Sequence, residues 1–345
     1  MKRSLLRTSI WAATLVVFVA AALALAACGG SGETASSPSP AAPSPAAASP
    51  SGAASPSAAA LPAASVAGTF VFAKVNDQRL GEIYVINGDG TGLKRVASET
   101  DYSLDGPVWS PDGTRIAYCH SGRRDPRGET YTVWVMNADG SGQQKLTTGA
   151  ARGYDPAWSP DGAQIAFHGG PPQGGSGISV VDAGGGALER VTDVESDAGT
   201  NWAPGQKILF IRGGADVWAV RPDGTGLRRV TDDGDVSHFA LSPDGKTLAV
   251  YEELADRIVL LPADGGAPVT LVDQVTAKGY VGRDTYGLTY GVALTWSPDG
   301  KAIAFASTYG GFCPGSALYV VNADGSGLSV VPNTGMIWEP SWRPE

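Results

Sequence analysis

Hydropathy divides the chain into three stretches. Residues 10–27 are apolar and carry no charge. Residues 29–67 contain almost no large apolar side chain. From about residue 68, short apolar runs recur to the C-terminus, each bounded by Gly, Pro, Asp or Asn. Examples are IYVIN (83–87), RIAYCH (115–120), VWVMN (133–137), QIAFH (164–168), KILFI (207–211), TLAVY (247–251), AIAFA (302–306) and LYVVN (318–322). They are β-branched or aromatic and about five residues long, which predicts strands. Runs such as IYVI are apolar on both faces. A sheet with one wet face would alternate, so these strands belong to sheets stacked face to face.

The punctuation between the runs is periodic. Trp-Ser-Pro-Asp-Gly occurs at 109–113, 158–162 and 296–300. Looser copies begin at Trp202, Leu241 and Trp342, making six starts spaced 49, 44, 39, 55 and 46 residues apart. A second marker alternates with it: Asn87-Gly88-Asp89-Gly90, Asn137-Ala138-Asp139-Gly140, Asp182-Ala183-Gly184-Gly185, Pro222-Asp223-Gly224, Pro262-Ala263-Asp264-Gly265 and Asn322-Ala323-Asp324-Gly325. Asp-Gly between two strand-like runs predicts a hairpin, because Gly accepts the positive φ of the turn. Each repeat is therefore a meander of four strands, A to D, with A ending at the Trp.

Six such meanders predict an all-β fold, a six-bladed β-propeller over 68–345. The Trp closing strand A is expected to wedge between blades. The first strand pair has no Trp marker before it, and Trp342 has no strand after it. The C-terminal strand (338–342) is therefore expected to join the N-terminal blade, closing the ring and removing its open edges.

The N-terminal stretches carry different information. Lys2, Arg3 and Arg7 precede the apolar run, which ends in small residues. This is the layout of an export signal, expected over residues 1–27. Leu25-Ala26-Ala27-Cys28 resembles a bacterial lipobox. That resemblance implies acylation of Cys28 after cleavage and anchoring to the cell membrane on its extracytoplasmic side, periplasmic or cell-surface. Residues 28–67, rich in Ala, Pro, Ser and Gly, cannot bury a core and are expected to be a disordered tether. Fully extended, it would reach about 120 Å at about 3.1 Å per residue.

Charge and cysteine content narrow the partners. The chain carries −9; residues 1–67 contribute +2, through Lys2, Arg3, Arg7 and Glu33, leaving −11 for the rest. That argues against nucleic acid as a partner. Beyond Cys28 there remain Cys119 and Cys313, which fall in non-adjacent blades and are expected unpaired. A monomer is expected, with no cofactor and no metal.

The two markers resemble the TolB-type propeller repeat, a WD-like family, over residues 68–345. The resemblance implies a non-catalytic docking platform. The family's namesake carries an α/β domain before its propeller and no lipid anchor, whereas a tether is expected there in this chain.

Motifs for chemistry are sparse. Gly245-Lys246-Thr247 lacks the Gly that a phosphate loop needs five residues earlier, where Ala240 stands. Asn137-Ala138-Asp139-Gly140 lacks the first ligand of a calcium loop, Val135 occupying that place. No Gly-x-Ser-x-Gly elbow occurs. His120 and His168 are expected just after strand B of their blades and His238 at the opening of a strand A, without metal-ligand spacing.

The loops carry more. The A–B and C–D turns are tight and share one face. The B–C and D–A connections share the other, and the long ones are there: 120–131, 169–177, 272–291 and 307–316. Recognition residues concentrate on such loops. The candidate binding residues are Arg123, Arg124, Arg127, Lys278, Tyr280, Arg283, Asp284, Tyr286, Tyr290 and Tyr309. Carboxylates cluster in the D–A segments, and Asp105, Asp155, Asp197, Asp235 and His238 are candidates at the channel mouth. The expected role is a membrane-anchored module binding an envelope protein or glycan through the long-loop face. The alternative is a polysaccharide lyase or hydrolase using channel carboxylates or a metal.

Overall fold

A computed structural model describes residues 61–64, 66–78, 80–122, 131–147, 152–171, 175–232, 234–275, 292–307, 317–335 and 337–345. These residues form 24 strands and no helix. Blade 1 takes β24 (Ile337–Trp342), β1 (Thr69–Val75), β2 (Gly81–Asn87) and β3 (Lys94–Ala97). Blade 2 is β4 (Tyr102–Trp109), β5 (Arg115–Gly122), β6 (Tyr131–Asn137) and β7 (Gln144–Lys145). Blade 3 is β8 (Arg152–Trp158), β9 (Gln164–Gly170), β10 (Ile178–Asp182) and β11 (Glu189–Arg190). Blade 4 is β12 (Asp197–Ala203), β13 (Lys207–Arg212), β14 (Asp216–Val220) and β15 (Arg228–Arg229). Blade 5 is β16 (Val236–Leu241), β17 (Thr247–Glu252), β18 (Arg257–Pro262) and β19 (Val269–Asp273). Blade 6 is β20 (Val292–Trp296), β21 (Ala302–Ser307), β22 (Leu318–Asn322) and β23 (Ser329–Val331).

Pairing within each blade is antiparallel, and the innermost strands β24, β4, β8, β12, β16 and β20 touch one another in that order around the ring. The closure is as expected: β24 pairs antiparallel with β1, Phe70 opposite Trp342. The two repeat markers make the short turns. In Ser110-Pro111-Asp112-Gly113, the Ser110 hydroxyl donates to Asp112 at 2.6 Å and accepts the Arg115 N–H at 2.9 Å. The same hydroxyl–carboxylate contact recurs at Ser159–Asp161, Ser242–Asp244 and Ser297–Asp299. In the second marker, Asp139 accepts both the N–H and the hydroxyl of Ser141. Turn geometry thus uses these aspartates, as the sequence suggested. Gly140 also serves packing, since a Cβ there would lie 1.9 Å from the Val96 carbonyl oxygen of blade 1.

The core lies between blades. Each apolar cluster combines facing surfaces of two neighbours: Val71, Ile83 and Ala97 of blade 1 pack on Leu104, Ile116 and Tyr118 of blade 2. Five further clusters close the remaining interfaces. This explains the strands that are apolar on both faces. The Trp at the end of strand A bridges blades. The Trp158 indole N–H donates to the Val108 carbonyl of blade 2 at 3.2 Å, and Arg115 of blade 2 lies over its ring.

Two expectations needed adjustment. His120 and His168 lie inside β5 and β9, not after them, because their inner partners β4 and β8 run on past the point where apolar patterning stops. The chain is also seated before residue 68: Ala63 bridges Val330 of β23 in parallel, and Ala64 is buried. Cys119 is a buried free thiol; Cys313 and Cys28 lie outside the described residues.

Candidate functional site

Four inner strands share one irregularity. Three residues before the Trp position that ends strand A, the backbone turns left-handed: Glu339 (φ 51) in β24, Gly106 (φ 57) in β4, Asp155 (φ 54) in β8 and Gly199 (φ 64) in β12. The pairing register slips beside each of these residues. Pro107, Pro156 and Pro340 follow three of them. Proline gives no N–H to the ladder and pushes the preceding residue out of the right-handed helical region. Glycine adopts the resulting conformation freely; Asp155 and Glu339 pay about 1–2 kcal/mol for it.

Both strained residues reach the next blade. Glu339 Oε2 accepts the Gly106 N–H at 2.6 Å, and Asp155 Oδ2 accepts the Gly199 N–H at 3.2 Å. Asp105, beside Gly106, accepts the Ser103 hydroxyl at 3.0 Å and the Ser121 hydroxyl at 2.9 Å. Three carboxyl groups from blades 1, 2 and 3 thus share the inner wall. Water touches each, yet protein surrounds all three. Among the described residues none has a cationic partner in a salt bridge.

Burial therefore dominates their titration. It raises Glu339 well above the usual carboxyl range, and the charges of Asp155 and Asp105 add to the rise. Asp105 is raised by burial, against the lowering pull of Ser121, Ser103 and the Trp338 indole. Asp155 is raised by burial, against the pull of His168 and the Gly199 N–H. Behind them the Cys119 thiol is pushed well up by burial and by the same three acids, so it stays protonated and unreactive. His168 is buried, edge-on to Tyr154 at 4.2 Å between ring centroids. Burial lowers its pKa, and Asp155 opposes the change. Carboxyls crowded this way hold protons at pH values where free ones do not, and offer both donors and acceptors to a polar ligand. Among the described residues no three His, Cys, Asp or Glu side chains converge as metal ligands.

The structure brings together only part of the set expected from sequence. Asp105 and Asp155 belong to the inner-wall cluster. Asp197 is occupied by a two-pronged ion pair with Arg212, at 2.6 and 2.7 Å. Asp235 accepts the Leu254 and Ala255 N–H groups, tying off a turn. His238 Nδ1 accepts the Leu294 N–H of blade 6 at 3.3 Å. Burial pushes its pKa down to about 4, so the ring is neutral at pH 7. Arg123, Arg124, Arg127, Lys278, Tyr280, Arg283, Asp284, Tyr286, Tyr290 and Tyr309 lie outside the described residues. Glu339 was not among the expected residues. Its signal was present in an acid-or-glycine, Pro, any residue, Trp string: Gly106-Pro107-Val108-Trp109, Asp155-Pro156-Ala157-Trp158 and Glu339-Pro340-Ser341-Trp342.

The sequence and the fold both have relatives among known proteins. The TolB β-propeller domain family matches residues 69–345. The chain belongs to that family. An uncharacterised protein of Agrobacterium fabrum is 28% identical over 202 residues, 57% of this chain and 52% of its own length. The Tol-Pal system protein TolB of Anaeromyxobacter dehalogenans is 50% identical over 46 residues, 13% of this chain and 9% of its own. The chain thus spans about half the length of the first relative and a small part of the second. In the crystal structure of TolB from Acinetobacter baumannii, 81% of this chain superposes on 67% of that one with a TM-score of 0.61 at 21% identity. That likeness is one of fold.

Proposed function

We propose that this TolB-like propeller is an exported, non-catalytic binding module, anchored to the cell membrane through acylated Cys28. It recognises an envelope protein or glycan through the long-loop face. The observation that carries the reading is the set of acids on the inner strands, held by a scaffold whose tight turns are self-satisfied. On one face the Ser-Pro-Asp-Gly and Asn-Ala-Asp-Gly turns satisfy their own polar groups. The inner wall holds Asp105, Asp155 and Glu339 with no cationic partner among the described residues, leaving acidic groups for a ligand to meet. A rigid scaffold presenting variable loops is the usual arrangement for recognition. The relative named for the Tol-Pal system supports an envelope setting.

The test is capture. Residues 277–289 are replaced by a short Gly-Ser linker; the cut must start beyond Val275, which is buried and donates its N–H to the Asp256 carbonyl. Partner capture from an envelope extract should vanish while the melting curve stays in place. Capture that survives would move the site off this loop. Metabolic labelling with a fatty acid tests the anchor: label should enter the parent and be absent from Cys28→Ser.

A further inference from the structure

Residues 61–64 lie against blade 6 and residues 66–68 against blade 1, before the first strand begins. Ala64 N–H donates to the Val330 carbonyl at 2.7 Å, and Val330 N–H donates to the Pro62 carbonyl at 3.1 Å. Ala64 is buried in the cluster between blades 6 and 1, with Val66 packed against it. Further along, the Ala67 carbonyl accepts the Trp342 indole N–H at 3.2 Å, and the Gly68 carbonyl accepts the Gly88 N–H at 3.0 Å. This short stretch therefore holds the outer strand of blade 6, the closing strand β24 and the β2–β3 turn at once.

The location matters because the ring is closed by the two chain ends. Closure rests on β1 against β24, and β1 starts at Thr69, one residue after this stretch. A pull on the N-terminal segment that reached Thr69 directly would peel the pair apart from its end, breaking hydrogen bonds one at a time. A pull meeting Ala64 first is spread over blade 6, two backbone hydrogen bonds and buried apolar contact. We propose that residues 61–64 and 66–68 act as a strap that takes tension arriving along the N-terminal segment before it reaches the β1–β24 closure. The proposal rests on reading that segment as a membrane tether, but its mechanics belong to the purified chain and can be tested without the lipid.

The experiment holds the full chain in magnetic tweezers between its N-terminus and a tag at the exposed blade-5 turn residue Asp264, so that force does not enter β24 through Trp342, and records unfolding lifetimes at constant force. Ala64→Pro removes the donor to Val330. Its lifetime under force should fall roughly fivefold or more, the effect of one lost hydrogen bond in a closed contact. Ala47→Pro, in the Ala/Pro/Ser run, should match the parent. Should Ala64→Pro fail to fold, Ala63→Cys with Val330→Cys covers the same contact: the oxidised pair should outlast its reduced form under force. Equal lifetimes for Ala64→Pro and parent, equal shortening in Ala47→Pro, or no gain on oxidation would each overturn the strap. Loss of fatty-acid label from the parent would overturn the tether and leave these lifetimes unchanged.

Discussion

Oε2 of Glu339, on the last strand of the chain, accepts the Gly106 N–H of the first complete blade at 2.6 Å. One side chain thereby links the C-terminal strand to blade 2 across the inner wall. It does so from a left-handed backbone and with its carboxyl well above its ordinary range. The fold keeps a group there that burial disfavours when charged.

That group makes the ring sensitive to rising pH. Its folded-state pKa exceeds the unfolded value, so the stability linked to it is fully present below about pH 4.5 and is lost as pH rises through the folded-state pKa. Glu339→Gln keeps an oxygen for Gly106 and removes the charge. The variant should match the parent near pH 4 and melt higher at pH 7–8, by about 2–4 °C for each kcal/mol recovered. Melting temperatures from pH 4 to 8 measure this. A variant less stable than the parent at pH 8 would refute the assignment.

His238 acts in the opposite sense. Its folded-state pKa of about 4 lies below the ordinary 6.5, so its contribution is present above pH 6.5 and lost as pH falls towards 4. His238→Asn retains an acceptor for the Leu294 N–H. The stability difference between parent and variant should shrink, then reverse, across that window. A difference constant from pH 7 to 4.5 would mean the ring is solvated and titrates normally.

Trp109 and Trp158 occupy equivalent places, yet only one uses its indole N–H. Trp158 donates to Val108 across the blade interface, whereas Trp109 Nε1 is buried without a partner among the described residues. Trp158→Phe should cost about 1 kcal/mol more than Trp109→Phe, since the latter removes an unsatisfied donor. Urea denaturation of the two variants decides, and equal losses would contradict the hydrogen-bond argument.

Asp197 is fully buried against Arg212, whose side chain is 21% exposed. Asp197→Asn leaves the guanidinium half-buried and unpaired, and should destabilise blade 4 by about 2–3 kcal/mol. Arg212→Met with Asp197→Asn should recover part of that loss. A neutral single variant, read by thermal melting, would show the pair contributes little.

Much of this architecture was legible in the chain. Hairpin turns are local: Asp112 and Asp139 bond to residues two positions away, so the residue string alone specifies them. Strands apolar on both faces imply stacking, and six repeats with a displaced Trp342 imply closure. The inner wall was legible only in part. Asp105 and Asp155 stood out as acids in connecting segments, but so did Asp197 and Asp235, which have quite different partners.

Sequence by itself determined blade number, turn chemistry and the shared first blade, because each follows from local propensity or from a repeated pattern. Tertiary structure alone decided which carboxyls go without a cation among the described residues, that Glu339 meets Gly106 across 233 positions in the chain, and that Ala64 is buried beside Val330. Those outcomes depend on how far apart six blades sit once packed. Ring geometry, not the neighbours along the chain, sets the distance between their side chains.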